Sequence, residues 1–362
     1  MIDGSINRDD IRAAVSANMI TEAQASSLMA LAQQRSGARA HMSGQDEPFE
    51  LFKGFNEIFI VIGLLILYGG WQGITGLGLV FAGSPKTFTV ITGLISLATT
   101  IGLATYFTRK RRMIAPSILL SILFGISSVH TLGAITLVSW SNGNGVVGAL
   151  PIIAGGSALL LFGYFLAFRV PFTLAQIMLS IFVAALGLAS IGETDIDHVT
   201  DIFMLSAGGP FAYITLVMGL IGLAIALKFD MSDPHRVSIR STNAFWLHVL
   251  AAPAIVNTVA LTLVSQGTLV HNLILAGFVT LVAVFAIVID RRSFLISAVG
   301  YIVALAALVV DDSFSLIILL LGAGLVFLGA KWETIRRGIM TALPDFKGKD
   351  RLPPYDLIKE TT

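Results

Sequence analysis

Long apolar runs separated by short polar connections dominate the chain from residue 58 onward. Ten stretches of 17 to 26 residues contain no Asp, Glu, Lys or Arg, and about 20 such residues suffice to cross the hydrocarbon core of a bilayer. They do not alternate between apolar and polar positions as barrel strands would, so the pattern predicts helices. The ten predicted spans cover residues 58–82, 87–107, 114–138, 145–168, 172–192, 202–227, 244–265, 270–289, 294–310 and 314–330.

The composition agrees with a membrane-embedded, all-α helix bundle. Hydrophobic residues make up 55% of the 362 residues and charged residues only 12%, about half the share usual in soluble proteins. The lipid bilayer is therefore the expected surrounding. The net charge of +1 argues against nucleic acid as a partner, and the absence of cysteine removes disulfides and thiolate chemistry.

The basic residues predict how the bundle is oriented. With a cytoplasmic N-terminus, all of the 23 Lys and Arg residues except Lys86 fall on the inner side. The outer connections carry carboxylates instead, including the acidic segment 193–201, for which a solvated loop is favoured over a cation site. An even number of spans with both termini in the cytoplasm follows.

Both tails show helical patterns of their own, giving four predicted regions. Residues 1–36 form a cytoplasmic helical hairpin whose second helix starts with the capping box Thr21-x-x-Gln24. Residues 37–57 form a linker and an interfacial helix, 58–330 the ten-helix domain, and 331–362 an amphipathic tail. In that tail Trp332 faces the membrane, Arg336 faces water, and Pro344 ends the helix. The hairpin is too small to bury its apolar stripe, so it is expected to contact inner loops, a second copy or another protein.

Candidate functional residues are sparse. Glycines around Gly70 and Gln72 in the first span, and Gly209 at the start of the sixth, predict interrupted helices of the kind that form transporter sites. His248 and Asn257 flank Pro253 in the seventh span, where a kink would line a cavity; the alternative is that each bonds to a neighbouring helix. Threonine and serine stripes in the second and third spans indicate close packing, with hydroxyls bonded to their own helix, more than a hydrophilic pathway.

Two function classes stay open on this basis. A carrier of a small uncharged or weakly polar solute would use the substrate-binding residues Gly70, Gln72, Gly209, His248 and Asn257. The other class is a non-transporting scaffold or regulator that acts through its cytoplasmic tails. No metal site, cofactor fingerprint or catalytic motif is found in the sequence, so an enzyme is not expected.

Three segments together resemble a family of bacterial predicted membrane proteins, a domain of unknown function. They are the hairpin segment 20–24, the lead-in 55–59 to the first span, and the tail that begins at residues 331–337 and ends at 352–354. Such proteins have a short N-terminal helical hairpin before a multi-span bundle. The resemblance implies the bacterial cytoplasmic (inner) membrane and supplies no catalytic residues.

Overall fold

The computed structural model describes residues 8–35, 55–139, 145–191, 199–292, 294 and 314–355, and the regular secondary structure within them is helical, without a β-strand. The all-α fold class predicted from the sequence is confirmed. The helices are α1 (Arg8–Ser16), α2 (Glu22–Arg35), α3 (Phe55–Phe81), α4 (Pro85–Ala104), α5 (Ile114–Ser139), α6 (Gly145–Phe168), α7 (Phe172–Ser190), α8 (Phe211–Asp230), α9 (Ile239–Val264), α10 (Leu269–Ile289) and α11 (Phe314–Ala342).

Eight helices within the described residues, α3 to α10, are long and apolar enough to cross a membrane. Of the ten spans predicted from the sequence, the ninth (294–310) lies outside the described residues apart from Phe294. The tenth (314–330) lies within α11. The count of ten and the side on which the termini lie stay predictions.

The sixth predicted span starts later than its apolar composition indicated. Residues 202–210 do not belong to the long helix but form two 3₁₀ turns and a bend, and α8 begins only at Phe211. Gly208 and Gly209 adopt φ angles of +78° and +86°, which are not helical. Pro210 follows them, and a proline favours the start of a helix over its interior. These glycines therefore precede the helix and do not interrupt it.

The first span also differs from its prediction. Helix α3 begins at Phe55, inside the segment assigned to an interfacial helix, and it runs without a break through Gly70 and Gln72 to Phe81. The predicted interruption of this helix is therefore wrong. Glu57 can lie inside the helix because its buried carboxylate accepts the backbone N–H groups of Ile114 and Ala115, at 3.3 and 3.1 Å. Those groups lie in the first turn of α5, which has no intrahelical acceptors for them.

The described chain divides into two compact units. Unit I contains Phe49–Gly219, and unit II contains Met1–Pro48 together with Leu220–Thr362. The core of unit I is formed by α3 to α7 around Leu120, Phe124, Leu161 and Tyr164. The core of unit II lies between α9, α10 and α11, around Val256, Leu275, Phe294, Trp332 and Met340.

The hydroxyl stripes of α4 and α5 confirm the packing interpretation. Thr92 and Ser96 donate to the carbonyl groups of Phe88 and Thr92, and Ser128 and Thr131 donate in the same way one turn back along α5. The two helices approach closely at Gly93, where an added Cβ would lie 2.3 Å from the Thr131 hydroxyl. At Gly93 and Thr131 the two helices therefore form a packed seam, whereas Ser96 and Thr99 farther along α4 line a cavity.

Candidate functional site: a buried ionic network at one end of unit II

Charged side chains from the ends of α8 and α10, from α11 and from a loop meet inside unit II. The residues contributing to this end of the unit are Asp230, Asp290, Arg236, Arg291 and Arg336, all of them buried or nearly so. Burying charged groups is costly unless they are paired and hydrogen-bonded. The network consists of two clusters, each with a central aspartate.

The Asp230 cluster joins α8, α9 and the end of α10. His248 Nε2 lies 2.7 Å from Asp230 Oδ2, and Arg291 Nε donates to the same oxygen at 3.2 Å. Arg291 Nη2 donates to Asp230 Oδ1 and also to the carbonyl oxygen of Ser241 at 3.0 Å. The carboxylate thus accepts two guanidinium donors in the forked geometry that arginine favours.

The Asp290 cluster ties the C-terminal tail to the connection between α8 and α9. Arg236 Nη1 lies 3.1 Å from Asp290 Oδ2, and the indole of Trp332 donates to Asp290 Oδ1 at 2.6 Å. Arg336 Nε lies 4.0 Å from the same Oδ1 and donates to the carbonyl oxygen of Ile287 at 3.2 Å. One carboxylate therefore neutralises two arginines from segments far apart in the sequence.

Electrostatics keep Asp290 ionised despite its burial. Burial alone would raise the pKa of Asp290, but the charges of Arg236 and Arg336 and the Trp332 hydrogen bond outweigh it. The pKa of Asp290 is consequently held below its usual value. The cluster is charged throughout the physiological pH range.

Arg336 also holds the end of the tail. Its Nη1 donates to the Pro354 carbonyl oxygen at 2.8 Å and its Nη2 to that of Pro353. The prediction that Arg336 turns toward water is therefore wrong, because its guanidinium is satisfied by carbonyl groups and a carboxylate inside the protein. The tail helix bends at Lys331 and packs Trp332 and Met340 into the core of unit II.

The N-terminal hairpin reaches the same loop. The capping box forms as predicted: Gln24 N donates to Thr21 Oγ1 at 3.2 Å, and Thr21 N donates to Gln24 Oε1 at 3.0 Å. Arg12 Nε donates to the carbonyl oxygen of Val237 at 3.0 Å. Asp233 fixes the loop at this point by accepting the N–H groups of Val237 and Ser238. Of the contacts predicted for the hairpin, one is present, with a loop that the charge pattern predicts to be on the inner side.

The five residues predicted to bind a solute fall in different parts of the chain. Gly70, Gln72 and Gly209 belong to unit I, where Gly70 and Gly209 are exposed and Gln72 is half-buried. His248 and Asn257 belong to unit II; His248 is fully buried in the Asp230 cluster and Asn257 is half-buried. The alternative predicted for His248, a bond to a neighbouring helix, is confirmed. The acidic segment 193–201 lies outside the described residues up to residue 198.

Sequence reasoning identified His248 but missed its partners. The network's five Asp and Arg residues lie in the connections and the tail outside the apolar runs, where a charged residue is expected to be solvated. They are Asp230, Asp290, Arg236, Arg291 and Arg336. The sequence did contain one indication that these residues could meet, because every one belongs to a connection or tail predicted to be on the cytoplasmic side. Within the part of the chain that the structure describes, no group of His, Asp and Glu is arranged to hold a metal ion.

No family model, curated protein or solved structure matches the chain. The resemblance implied a helical membrane protein, and the eight apolar helices agree with that general class. The domain-of-unknown-function family and the bacterial inner membrane have no support from the comparisons and stay predictions.

Proposed function

We propose that the protein is a membrane-embedded scaffold or regulator that acts through the surface on which its two tails are held. The observation that carries this proposal is the Asp290 cluster. It joins Arg236 of the α8–α9 loop to Trp332 and Arg336 of the C-terminal tail. A tail surrounded by solvent would not need an arginine that is buried and paired with a carboxylate.

The energetics of buried ion pairs support this interpretation. Well-packed apolar side chains are often as stabilising as a buried ion pair, or more so. The benefit of such a network is that it specifies one arrangement of the segments it joins, as polar groups do in some other helical proteins. In this protein the specified feature is the position of the C-terminal tail on unit II.

The N-terminal hairpin supplies a surface for a partner. Arg12 ties α1 to the loop carbonyl of Val237, while Met19, Leu28 and Leu31 are exposed. Exposed apolar side chains on a small, positioned hairpin are typical of protein contact sites. We therefore propose that this hairpin face binds a protein, either another copy of the chain or a different one.

The carrier of a small uncharged or weakly polar solute is the competing proposal. Its main support in the sequence was a pair of interrupted helices. Because α3 is continuous and Gly209 precedes α8, that support is lost. A solute site at Gly70, Gln72, Gly209, His248 and Asn257 stays a prediction without a structural observation that favours it.

Two measurements on the full-length protein separate the proposals. A photo-crosslinking residue at Leu28 should form protein adducts in cells, whereas the same residue at Leu159, another exposed leucine, on α6, should form lipid adducts only. Proteoliposomes should be no more permeable to glycerol, urea or other small uncharged solutes than empty liposomes. Solute flux through the purified protein, or the absence of protein adducts at Leu28, would contradict the scaffold.

A further inference from the structure

A cavity of about 150 Å³ lies within unit I between α3, α4 and α5. Its walls come mainly from α3 and α4, with a single residue from α5. The lining includes Leu64, Tyr68 and Trp71 of α3, Ser96 and Thr99 of α4, and Leu123 of α5. No residue of the ionic network in unit II lines this cavity, so a ligand here would be independent of the proposed function.

The cavity lies at mid-depth of the helices that form it. Leu64–Trp71 are the central turns of α3 (Phe55–Phe81), and Leu123 is near the middle of α5 (Ile114–Ser139). A helix of this length spans the whole hydrocarbon layer at a rise of 1.5 Å per residue. The cavity is therefore at the level of the bilayer centre, where the ends of lipid acyl chains lie.

The walls of the cavity offer an apolar surface. Trp71 Nε1 donates to Ser96 Oγ at 2.7 Å, and Thr100 donates to the backbone carbonyl of Ser96 at 3.0 Å. The Tyr68 hydroxyl pairs with that of Ser127 at 3.3 Å. These polar groups are thus engaged within the protein. Enclosed apolar cavities of about this volume accept a ligand of the size of benzene, so about 150 Å³ has room for the last carbons of a hydrocarbon chain.

The cavity is open at the surface of the group formed by α3, α4 and α5. Leu64 and Leu123 at its floor are buried, whereas Leu67 and Ile95 at its rim are 59% and 45% exposed. In a membrane such a rim is in contact with lipid chains. We propose that this cavity is a lipid-binding site that receives the terminal carbons of one acyl chain of a bilayer phospholipid.

Native mass spectrometry of the purified full-length protein tests the site. The wild-type protein should retain one phospholipid after extensive delipidation. Thr99→Trp places a large ring at the cavity wall, and this variant should retain at least tenfold less lipid. Leu94→Trp is the matched control, since Leu94 is exposed on the same helix but does not line the cavity, and its lipid retention should equal the wild type.

Photolabelling keeps the proposal testable if Thr99→Trp fails to fold. A phospholipid with a diazirine near the end of its acyl chain should label Leu67, Tyr68 and Trp71 of the wild-type protein several-fold more than Leu65 and Ile66. The latter two lie at the same depth of α3, are 51% and 70% exposed and do not line the cavity. Equal labelling along α3, retention of no lipid, or retention of a different apolar molecule would overturn the proposal.

Discussion

Asp290 ends α10 in the left-handed backbone conformation, with a φ of 58°. Aspartate and asparagine adopt this conformation more readily than most residues, so the position suits both the turn and the side chain. From it, the carboxylate reaches Arg236, the indole of Trp332 and, more distantly, Arg336. A single residue at a helix end therefore organises a loop and a tail.

Replacing Asp290 by Asn tests the charge of this cluster. The variant keeps the shape and the turn but leaves Arg236 and Arg336 without the carboxylate that they share, so we expect a loss of stability of about 3 kcal/mol. Denaturation of the protein in detergent micelles measures it. Asp345→Asn is the control, because Asp345 pairs with Lys349 at 3.2 Å with its side chain 99% exposed, and such pairs contribute little. Equal stability of the two variants would argue against a structural charge at Asp290.

The sequence indicated one residue of the ionic network as a candidate and did not show which of the others pair. His248 was found because a histidine in an apolar run needs a polar partner. Arg236 and Arg336 served as markers of the inner side, Arg336 was also expected to face water, and Asp290 was not singled out, since a charge beside a span is normally solvated. Asp290 pairs with Arg236 and Arg336 across 54 and 46 residues of sequence, and no local pattern encodes these pairs.

At the scale of helices, α4 and α5 show how small residues set the distance between spans. A Cβ built on Gly93 would lie 2.3 Å from Thr131 Oγ1 and 3.2 Å from its Cβ, so the helices are in contact at this point. Dispersion and close backbone approach, more than the hydrophobic effect, stabilise helix pairs inside a membrane. The small-residue stripe predicted this seam, although not which glycine contacts which helix.

Gly93→Ala should therefore push the two helices apart. Gly102→Ala on the same helix is the matched control, because a Cβ there meets no atom within 4 Å. We expect Gly93→Ala to lower the thermal unfolding temperature in micelles and Gly102→Ala to leave it unchanged or raise it, since alanine is the better helix former. Adding Thr131→Ala should restore only part of the loss, because the Thr131 backbone also lies 3.3 Å away. Identical behaviour of the two glycine variants would contradict a tight seam.

Helix ends were the least predictable part of the elements. The capping box at Thr21 located the start of α2 because its donors and acceptors are local. The start of α3 was missed because Glu57 is stabilised by the first turn of α5, 57 residues later. The start of α8 was missed because hydropathy alone does not register the left-handed glycines before Phe211.

For the whole molecule, contacts within each unit agree with alternating, antiparallel helices. In unit I the start of α3 meets the start of α5 through Glu57, and Arg109 donates to the Ala167 carbonyl near the end of α6 at 2.7 Å. In unit II the end of α8, the end of α10 and the tail meet in the ionic network. The charge pattern of the sequence predicted this grouping of ends, because basic residues mark one side of the membrane.

Reporter fusions test the orientation that this alternation predicts. Fusions after Arg112, Arg169, Arg240 and Arg292 should report the cytoplasm, and fusions near Asn142, Asp197 and Asp312 the opposite side. A fusion at the C-terminus should also report the cytoplasm, because an even number of spans returns the chain to its starting side. A C-terminus on the outer side would rule out the even count.

Hydrogen–deuterium exchange of the full-length protein in lipid nanodiscs tests most directly whether the tail is held on the bundle. Because Arg336 and Trp332 are buried against Asp290, the backbone amides of residues 332–342 should exchange as slowly as those of α9. Asp290→Asn should accelerate exchange in this segment, while Asp345→Asn should not. Exchange of residues 332–342 in the wild-type protein at the rate of an unstructured peptide would contradict the account.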